Sequence, residues 1–401
     1  MNLLVFNCGS SSQGFTVFQS RGNEKPAKIA FGKARNVATK TKAASVLEWT
    51  IGNESGAVPG DYSTHRLAAE AIVRLLKEKG MHLDAAAHRF VNGGTFFRRA
   101  ARITEESAAQ MKSCFPLAPI HNPNSYSVIE VCMEQFPDLP EYAVFDTAFH
   151  SGMPEEAAVY AIPQDIANEK GLRKIGFHGL SYQYVSARAA ELLGKPLSEV
   201  KLVMCHLGTG GSSVCAFRNG KTFDTSMGYS PLSGLIMSTR CGDIDPEAVL
   251  ELVRSGMTPD EVSTLLNKRS GLVGLSQYSS NLGEIIEAAE QGNEACALTF
   301  KAYVLRLRKY IGAFLYEMNG ADAIVFTDDA GVKYAKMREA VCSNADFLGI
   351  RLDAAANAAY DRKQESRISA AESSVQVWVI PTDEEQTIYD EVLKEIGPEG
   401  L

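Results

Sequence analysis

One stretch of the chain, residues 202–217, combines two apolar runs with a glycine- and hydroxyl-rich turn, LVMCHLGTGGSSVCAF. The apolar runs predict two buried strands, and the glycines allow the backbone to turn sharply and approach a ligand closely. Hydroxyls and free backbone amides in such a turn are donors that suit an anion. An Asn-Gly pair at 219–220 then predicts a type I′ hairpin. Taken alone, the stretch is either an ordinary tight hairpin or a cradle for phosphate.

The same pattern occurs a second time near the amino terminus, where residues 3–18 read LLVFNCGSSSQGFTVF. When the two copies are overlaid, Asn7 corresponds to His206 and Gly9 corresponds to Gly208. A repeat separated by about half a chain predicts a duplicated α/β domain, with the two turns facing each other across a cleft. A phosphate group held from both sides is the ligand that such an arrangement predicts.

The composition limits the kind of protein that this chain can be. A chain of 401 residues is long enough for two domains, and its formal net charge of -8 argues against general nucleic-acid binding. The eight cysteines show no C-x-x-C spacing, so we expect reduced thiols rather than disulfides or a zinc site. The sequence contains neither a signal-peptide pattern nor an apolar run long enough for a membrane span. We therefore expect a soluble, cytoplasmic protein that does not bind membranes.

Several charged side chains stand at places where α/β proteins position their chemistry. Arg89, in the run HRFVNGG, either pairs with a surface carboxylate or extends into a cleft as a clamp for carboxylate or phosphate. Asp146 follows a predicted strand over 142–145, where an acid is either a helix cap or a catalytic group. His178 lies in the run GFHG, and Arg240 lies in a segment that glycine and proline break. Both positions favour a role in a site.

The helical patterns near the carboxyl end yield two further predictions. A long helix is expected over 282–318. A last helix is expected after the run PTDEE, where Thr382 and Glu385 fit a capping box and leave Glu384 free to point elsewhere.

Ten motifs occur in the order in which acetate kinases have them: FNCGSSS, HRFVNGG, LAPIHNP, VFDTAFH, GFHGLSY, HLGTGGSSV, DTSMG, TRCGDIDP, LNKRSGLVGLS and VIPTDEE. The chain therefore resembles the acetate kinase family, from Leu3 to about Glu385. This family belongs to the superfamily of sugar kinases, heat-shock ATPases and actin. The resemblance implies two duplicated actin-like (ribonuclease H-like) α/β domains with the active site in the cleft between them. It also implies a homodimer. We assign residues 1–148 and 385–401 to domain I and residues 149–384 to domain II, which carries the phosphate-donor site.

The resemblance also implies a role for individual residues. Arg89 and Arg240 match two arginines that hold the carboxylate and the transferring phosphoryl group. His178 matches a histidine that stabilises charge on that group, and Asp146 matches an acid beside the acceptor. These residue types suit phosphoryl transfer, because its in-line transition state needs cations and positioned donors more than a general base.

The remaining site residues follow from the same matches. Asn7 and Glu384 match residues that organise Mg²⁺. The carboxylate substrate, with a small apolar pocket for its methyl group, is expected at Val91, Ile120, His121, Phe177 and Pro231. The phosphate donor is expected at Asn7, Ser10, Ser12, His206, Gly208, Thr209, Gly210, Gly211, Asp328 and Gly331.

The chain departs from the family where the family contacts adenosine. The usual GGIGEN reads DDAGVK at 328–333, and the usual SSDMRD reads SSNLGE at 279–284, while both phosphate-facing turns are kept. In the runs HLGTGGSS, GFHGLSY, TRCGDIDP and FTD the chain resembles a branch of the family that uses pyrophosphate. We therefore favour reversible, Mg²⁺-dependent phosphoryl transfer between acetate or acetyl phosphate and pyrophosphate or phosphate.

Two alternatives stay open at this point. The first is an ordinary acetate or propionate kinase that uses ATP and ADP. The second is a non-catalytic sensor that binds acetyl phosphate, an interpretation motivated by Gly14, Thr209 and Tyr182, which replace the family's usual lysine, asparagine and histidine. The sensor is disfavoured because the charged residues of the transfer centre are all kept and no output domain accompanies them.

Overall fold

The computed structural model describes residues 1–9, 11–20, 25–38, 45–361 and 363–397. Ser10, a predicted phosphate-binding residue, lies outside the described residues. The strands are β1 Asn2–Cys8, β2 Ser12–Gln19, β3 Ala27–Arg35, β4 Val46–Ile51, β5 Glu54–Pro59, β6 Ala85–Phe90, β7 Ala101–Arg102, β8 Glu141–Phe145, β9 Leu202–Leu207, β10 Ser212–Arg218, β11 Lys221–Thr225, β12 Ala323–Thr327, β13 Ser366–Arg367 and β14 Gln376–Val379.

Helices separate and flank these strands. The α-helices are α1 His65–Glu78, α2 Glu105–Ser113, α3 Asn122–Gln135, α4 Glu155–Ala158, α5 Gln164–Lys170, α6 Gly179–Leu193, α7 Pro246–Arg254, α8 Pro259–Lys268, α9 Gly271–Ser276, α10 Leu282–Glu290, α11 Glu294–Glu317, α12 Asp328–Lys333, α13 Ala335–Cys342, α14 Ala354–Ala359 and α15 Glu384–Ile396. Short 3₁₀ helices span Phe115–Leu117, Asp146–His150 and Asp346–Leu348.

The chain divides into two compact units. Unit 1 is Met1–Ser151 with Asp383–Leu401, and unit 2 is Gly152–Thr382. The sheet of unit 1 has the strand order β5-β4-β3-β2-β1-β6-β8-β7, and the sheet of unit 2 has the order β11-β10-β9-β12-β14-β13. Each unit thus has its own sheet covered by its own helices, which confirms the predicted α/β class.

The central strands of the two sheets are paired in the same pattern. In unit 1, β1 pairs antiparallel with β2 and parallel with β6, which in turn pairs parallel with β8. In unit 2, β9 pairs antiparallel with β10 and parallel with β12, which pairs parallel with β14. The turns also match: the Gly9 amide donates to the Ser12 carbonyl at 2.9 Å, and the Gly208 amide donates to the Gly211 carbonyl at 3.0 Å. The internal repeat of the sequence is therefore a repeat of sheet topology and of turn hydrogen bonding.

Each unit has its own apolar core. In unit 1, Ala68, Ile72 and Leu76 on one face of α1 are fully buried against the central strands. In unit 2, α11 buries Leu307 and Phe314 against β9, β10, β12 and β14. Burying one such side chain contributes about 1.5–3 kcal/mol, so these helices hold the strand ends in fixed positions.

Two local predictions are wrong, for reasons that the structure makes clear. The predicted helix over 282–318 is two helices, because Gly292 has φ +91° and the side chain of Asn293 caps α11 by accepting from the Cys296 amide. The predicted capping box does not form either. Asp383 is the N-cap of α15, and the Thr382 hydroxyl has no hydrogen-bond partner among the residues that the structure describes.

The predicted hairpin at 219–220 is confirmed, since Asn219 and Gly220 both have positive φ between β10 and β11. All eight cysteines are free thiols, and all but Cys241 are buried. Among the described residues, no helix combines the length and the apolar character that crossing a membrane requires.

Candidate active site

Arg89 is the centre of a charged cluster in unit 1. Its Nε and Nη2 atoms donate to the two carboxylate oxygens of Asp146, at 3.1 and 2.6 Å. Its Nη1 donates to Asn7 Oδ1 at 3.0 Å and to Glu384 Oε2 at 3.1 Å. Burial opposes the charge of Arg89, but Asp146 and Glu384 outweigh it and raise the pKa of the guanidinium. The structure therefore brings four predicted site residues of unit 1 together.

The sheet explains why these residues meet. Asn7, Arg89 and Asp146 stand at or just beyond the ends of β1, β6 and β8, which are neighbouring parallel strands. The carboxyl ends of such strands share one edge of the sheet, where α/β proteins place their sites. Glu384 reaches the same edge because α15 begins there.

The first turn of α15 adds acidic side chains to this edge. Asn7 Nδ2 donates to Glu384 Oε2 at 3.1 Å and to Glu385 Oε1 at 3.2 Å. Burial and the nearby charges of Glu384 and Asp383 raise the pKa of Glu385. Asp383 forms an ion pair with Lys28, with 2.5 Å between Nζ and Oδ2. The edge therefore carries concentrated carboxylate oxygens, which are the ligands that Mg²⁺ prefers.

Glu385 is a site residue that the sequence analysis assigned only to a cap. Gly14 lies beside it, since a Cβ built on Gly14 would stand 3.2 Å from Glu385 Oε1. A side chain at position 14 would therefore be in tight contact with the Glu385 carboxylate. The pairing of Gly14 with Glu385 connects β2 to α15, two segments that are far apart in the sequence.

Arg240 and His178 converge on the glycine turn of unit 2. A Cβ built on Gly211 would stand 3.2 Å from His178 Nε2 and 3.3 Å from Arg240 Nη1. His178 has φ +60° and immediately precedes α6, so its ring projects from the start of that helix. A side chain at Gly211 would therefore crowd both the His178 ring and the Arg240 guanidinium.

The guanidinium of Arg240 is half-buried, yet within the described residues it forms no ion pair. Its Nη1 lies 4.0 Å from the sulfur of Met237, a weak acceptor. Burial lowers the pKa of Arg240, so the fold disfavours its charge. A desolvated cation without a carboxylate partner is an expected feature of a site that binds an anion.

Asp328 stands over the other end of the same turn. Its Oδ2 lies 3.1 Å from His206 Nε2, and a Cβ built on Gly208 would overlap the Asp328 carboxylate. Asp328 adopts φ +60°, a left-handed conformation that glycine adopts far more easily. The family's usual glycine at this position is therefore replaced by a carboxylate in contact with the predicted phosphate turn.

The segment after Asp328 is stabilised by hydrogen bonds from Arg338, which also belongs to unit 2. Gly331, a predicted donor-binding residue, is buried, and its carbonyl accepts from Arg338 Nη1 at 2.9 Å. The same nitrogen donates to the Val332 carbonyl at 2.7 Å, and the Arg338 guanidinium lies over the ring of Tyr360. These contacts fix α12, which carries Asp328 at its start.

The region where the resemblance places the adenosine contacts has little free space beside Asn281 and Tyr334. The cavity bordered by Asn281, Ala330 and Tyr334 encloses only about 20 Å³ of water-accessible volume, which is room for about one water molecule. The Tyr334 hydroxyl donates to Asn281 Oδ1 at 3.1 Å. That oxygen also accepts from the amides of Gly283 and Glu284 and caps α10. Asn281 is thus occupied with contacts inside the protein.

The predicted acetate-binding residues belong to both units. In unit 1, Val91 is buried, Ile120 is 52% exposed and His121 directly precedes α3. In unit 2, Phe177 is buried and Pro231 is partly exposed.

The sequence analysis missed a residue that fixes the backbone next to Val91. The buried Asn122 side chain accepts from the Asn92 amide at 3.1 Å and donates to the carbonyls of Asn92 and Cys114, at 2.9 and 2.8 Å. The only signal for this role was the position of Asn122 in the proline-rich run IHNP, which immobilises the chain around it.

Comparisons with known proteins agree with the fold. The family model described as "Acetokinase family" matches residues 2–390. A curated acetate kinase of Dictyoglomus turgidum is 41% identical over 406 residues, which is 99% of this chain and 98% of that relative. The crystal structure of Porphyromonas gingivalis acetate kinase matches with a TM-score of 0.88 and 38% identity, over 99% of this chain and 100% of that one. The crystal structure of acetate kinase from Entamoeba histolytica matches with a TM-score of 0.88 and 39% identity, over 98% of each chain.

The fold, with an arginine and a histidine converging on a glycine turn, is that of a phosphotransferase of the α/β class. The chain belongs to the acetokinase family and is of the acetate kinase type. The predicted family is therefore confirmed.

Proposed function

We propose that this protein catalyses reversible phosphoryl transfer between acetate and inorganic phosphate, with acetyl phosphate and pyrophosphate as the phosphorylated compounds. In one direction the acyl phosphate P–O bond breaks, acetate leaves, and a phosphate oxygen forms the new P–O–P linkage. The observation that carries this proposal is the half-buried Arg240 guanidinium, which forms no ion pair with the described residues and lies, like His178 Nε2, beside Gly211 of the glycine turn.

The residues of unit 2 would stabilise the transferring group. Charge develops on the equatorial oxygens of a phosphoryl group in transfer, and positioned cations and donors account for most of the catalysis. Arg240 would supply the charge and His178 a hydrogen bond, with the amides of the 208–211 turn as further donors. An ionised carboxylate is already a nucleophile, so no general base is required.

The residues of unit 1 would hold acetate and a metal ion. Arg89 is oriented by Asp146, and we propose that it receives the carboxylate substrate, with Val91 against the methyl group. Asn7, Glu384 and Glu385 offer oxygen ligands for a divalent cation. Burial and the charges of Glu384 and Asp383 raise the pKa of Glu385, and a bound cation would offset both effects. When bound there, Mg²⁺ would neutralise phosphate charge.

Two observations support phosphate rather than a nucleotide as the partner. The cavity at Asn281 and Tyr334 is far too small for an adenine ring, which would have to break the Tyr334–Asn281 hydrogen bond. The family's usual adenosine-contact run GGIGEN reads DDAGVK here, with Asp328 in contact with Gly208 and His206. Both phosphate-facing turns, in contrast, keep their glycines and their turn hydrogen bonds.

Acceptor size provides one prediction. If Val91, Ile120, Phe177 and Pro231 enclose a methyl group, each added methylene should cost about 1–3 kcal/mol in discrimination. We expect kcat/KM to decrease in the order acetate, propionate, butyrate, with butyrate the poorest substrate. Initial rates with the three carboxylates at a fixed pyrophosphate concentration measure this order. Equal values for butyrate and acetate would show that these residues do not form the pocket.

The reaction itself is tested in the direction of acyl phosphate formation. The enzyme is incubated with acetate, Mg²⁺ and hydroxylamine, which traps acetyl phosphate as the hydroxamate, and with either pyrophosphate or ATP. We expect hydroxamate with pyrophosphate and a much lower rate with ATP. Rapid hydroxamate formation with ATP alone would identify an ordinary ATP-linked enzyme. Formation with neither donor would favour a non-catalytic binding protein.

A further inference from the structure

A buried chain of hydrogen bonds ends on the ring of His178. The Tyr182 hydroxyl lies 2.5 Å from Ser213 Oγ, which lies 2.8 Å from His178 Nδ1. Tyr182 and Ser213 are both fully buried. These hydrogen bonds lie inside unit 2 and join α6 and the residue before it to β10.

The chemistry of each group determines which one donates and which one accepts in these hydrogen bonds. A phenol is a stronger hydrogen-bond donor and a weaker acceptor than an aliphatic hydroxyl, and burial raises the pKa of Tyr182, so this phenol keeps its proton. That proton is directed to the nearest acceptor, Ser213 Oγ. Ser213 has one proton of its own, and His178 Nδ1 is its acceptor. A ring nitrogen that accepts a hydrogen bond carries no proton.

The other nitrogen of the ring faces the phosphate turn. In a neutral imidazole one nitrogen is a donor and the other an acceptor, and the partner of one nitrogen sets the state of both. With Nδ1 accepting from Ser213, the proton is on Nε2, the atom that lies 3.2 Å from the Cβ position of Gly211. The same position lies 3.3 Å from Arg240 Nη1, so both groups offer N–H donors to one place.

We propose that Tyr182 is a positioning residue which acts through Ser213 to hold His178 in the Nε2–H tautomer. This inference rests on the proposed function, in which His178 donates to the transferring phosphoryl group. In the opposite tautomer, Nε2 would present a lone pair to that group, and the donor would be lost. Tyr182 stands where the family usually has a histidine, so this chain uses a phenol for the task.

A purely structural role for Tyr182 makes a different prediction. The ring is packed in the core beside Cys205 and Cys215, and removing the hydroxyl leaves that packing in place. If the hydroxyl only contributed stability, its removal would lower the unfolding midpoint and leave the His178 tautomer unchanged. The proposal therefore requires a readout of the ring itself.

The test is ¹⁵N NMR of the substrate-free, full-length enzyme labelled at histidine, with the His178 signals assigned by their absence in His178→Gln. In the unsubstituted enzyme at neutral pH we expect a protonated Nε2 and an unprotonated Nδ1. In Tyr182→Phe the Ser213 hydroxyl loses its donor and can accept from Nδ1, so we expect a mixture of tautomers. Tyr184→Phe removes a hydroxyl from the same helix and serves as the matched control, with no change in the His178 signals.

Kinetics provide the second readout. Complete loss of a positioned donor costs about 10²–10³ in kcat, so partial loss in Tyr182→Phe should lower kcat by about 10–100-fold with KM little changed. Because Tyr182 and Ser213 act in series, the double variant Tyr182→Phe/Ser213→Ala should be no slower than Ser213→Ala alone.

The NMR result separates this proposal from the proposed function. A protonated Nδ1 in the unsubstituted enzyme, or a tautomer that is the same in the enzyme and in Tyr182→Phe, would overturn the inference whatever the activity. An expected tautomer change in an enzyme that transfers no phosphoryl group would instead overturn the proposed function and leave the relay intact.

Discussion

Replacing Arg240 with alanine is expected to lower kcat by about 10³–10⁵-fold, which is the range for an arginine that stabilises a transferring phosphoryl group. Arg240→Lys should recover only part of the loss, because an ammonium group lacks the planar fork of a guanidinium. Steady-state rates of the two variants measure these effects. Arg254→Ala is a matched control, since Arg254 forms an ion pair with Glu247 on the surface and should leave the rate unchanged.

The same substitution should not destabilise the fold. Burial lowers the pKa of Arg240, and no carboxylate in the described part of the chain pairs with it, so the cation is retained at a cost in stability. We expect Arg240→Ala to keep or raise the urea unfolding midpoint while activity is lost. A large decrease of the midpoint together with near-normal turnover would contradict the role given to Arg240.

Arg89→Ala should have the opposite effect on stability. Asp146 is buried, and Arg89 forms bidentate hydrogen bonds with it and a further ion pair with Glu384. Removing one partner of a buried ion pair destabilises a protein by about 3–5 kcal/mol. We therefore expect a clear decrease of the unfolding midpoint, and Arg89→Lys should recover part of it.

In activity, Arg89→Ala should mainly raise the KM for acetate. If Arg89 receives the carboxylate substrate, its removal weakens that interaction in the ground state and the transition state alike. Titrations of acetate and of pyrophosphate, each at a saturating concentration of the other, distinguish the two sites. A change confined to pyrophosphate would contradict the assignment. The two arginines thus differ in their surroundings: Arg89 is paired with Asp146 and Glu384, whereas Arg240 forms no ion pair with the described residues.

Local patterns predicted much of this protein. The glycine turns require conformations that the sequence reveals directly, and the Asn219-Gly220 hairpin forms as its residue types predict. The apolar strands around the turns predicted two sheets, because a buried parallel strand has a continuous apolar pattern. The repeat of the strand-turn-strand pattern predicted a duplicated α/β domain, and the two sheets do have the same pairing pattern around that turn.

The contacts that define the site were harder to predict, because they join residues that are distant in the sequence. Asn7 meets Glu384 and Glu385 across more than 370 residues, and the Thr382 capping box was a local pattern that a tertiary contact replaced. Glu385 therefore contacts Asn7 of the candidate site and does not cap α15. Asp328 was predicted near the phosphate site, but its left-handed backbone and its contact with His206 follow from the position of β12 beside β9.

We propose above all that this site still binds phosphate and no longer binds a nucleoside. The most direct test supplies acetyl phosphate and Mg²⁺ with either phosphate or ADP, and compares kcat/KM for the two acceptors by following pyrophosphate and ATP in ³¹P NMR spectra. We predict that phosphate is at least about 100-fold the better acceptor, corresponding to about 2.7 kcal/mol of lost nucleoside binding. Rapid ATP formation from sub-millimolar ADP, with no pyrophosphate formed from phosphate, would contradict the account and identify an ordinary ATP-linked acetate kinase.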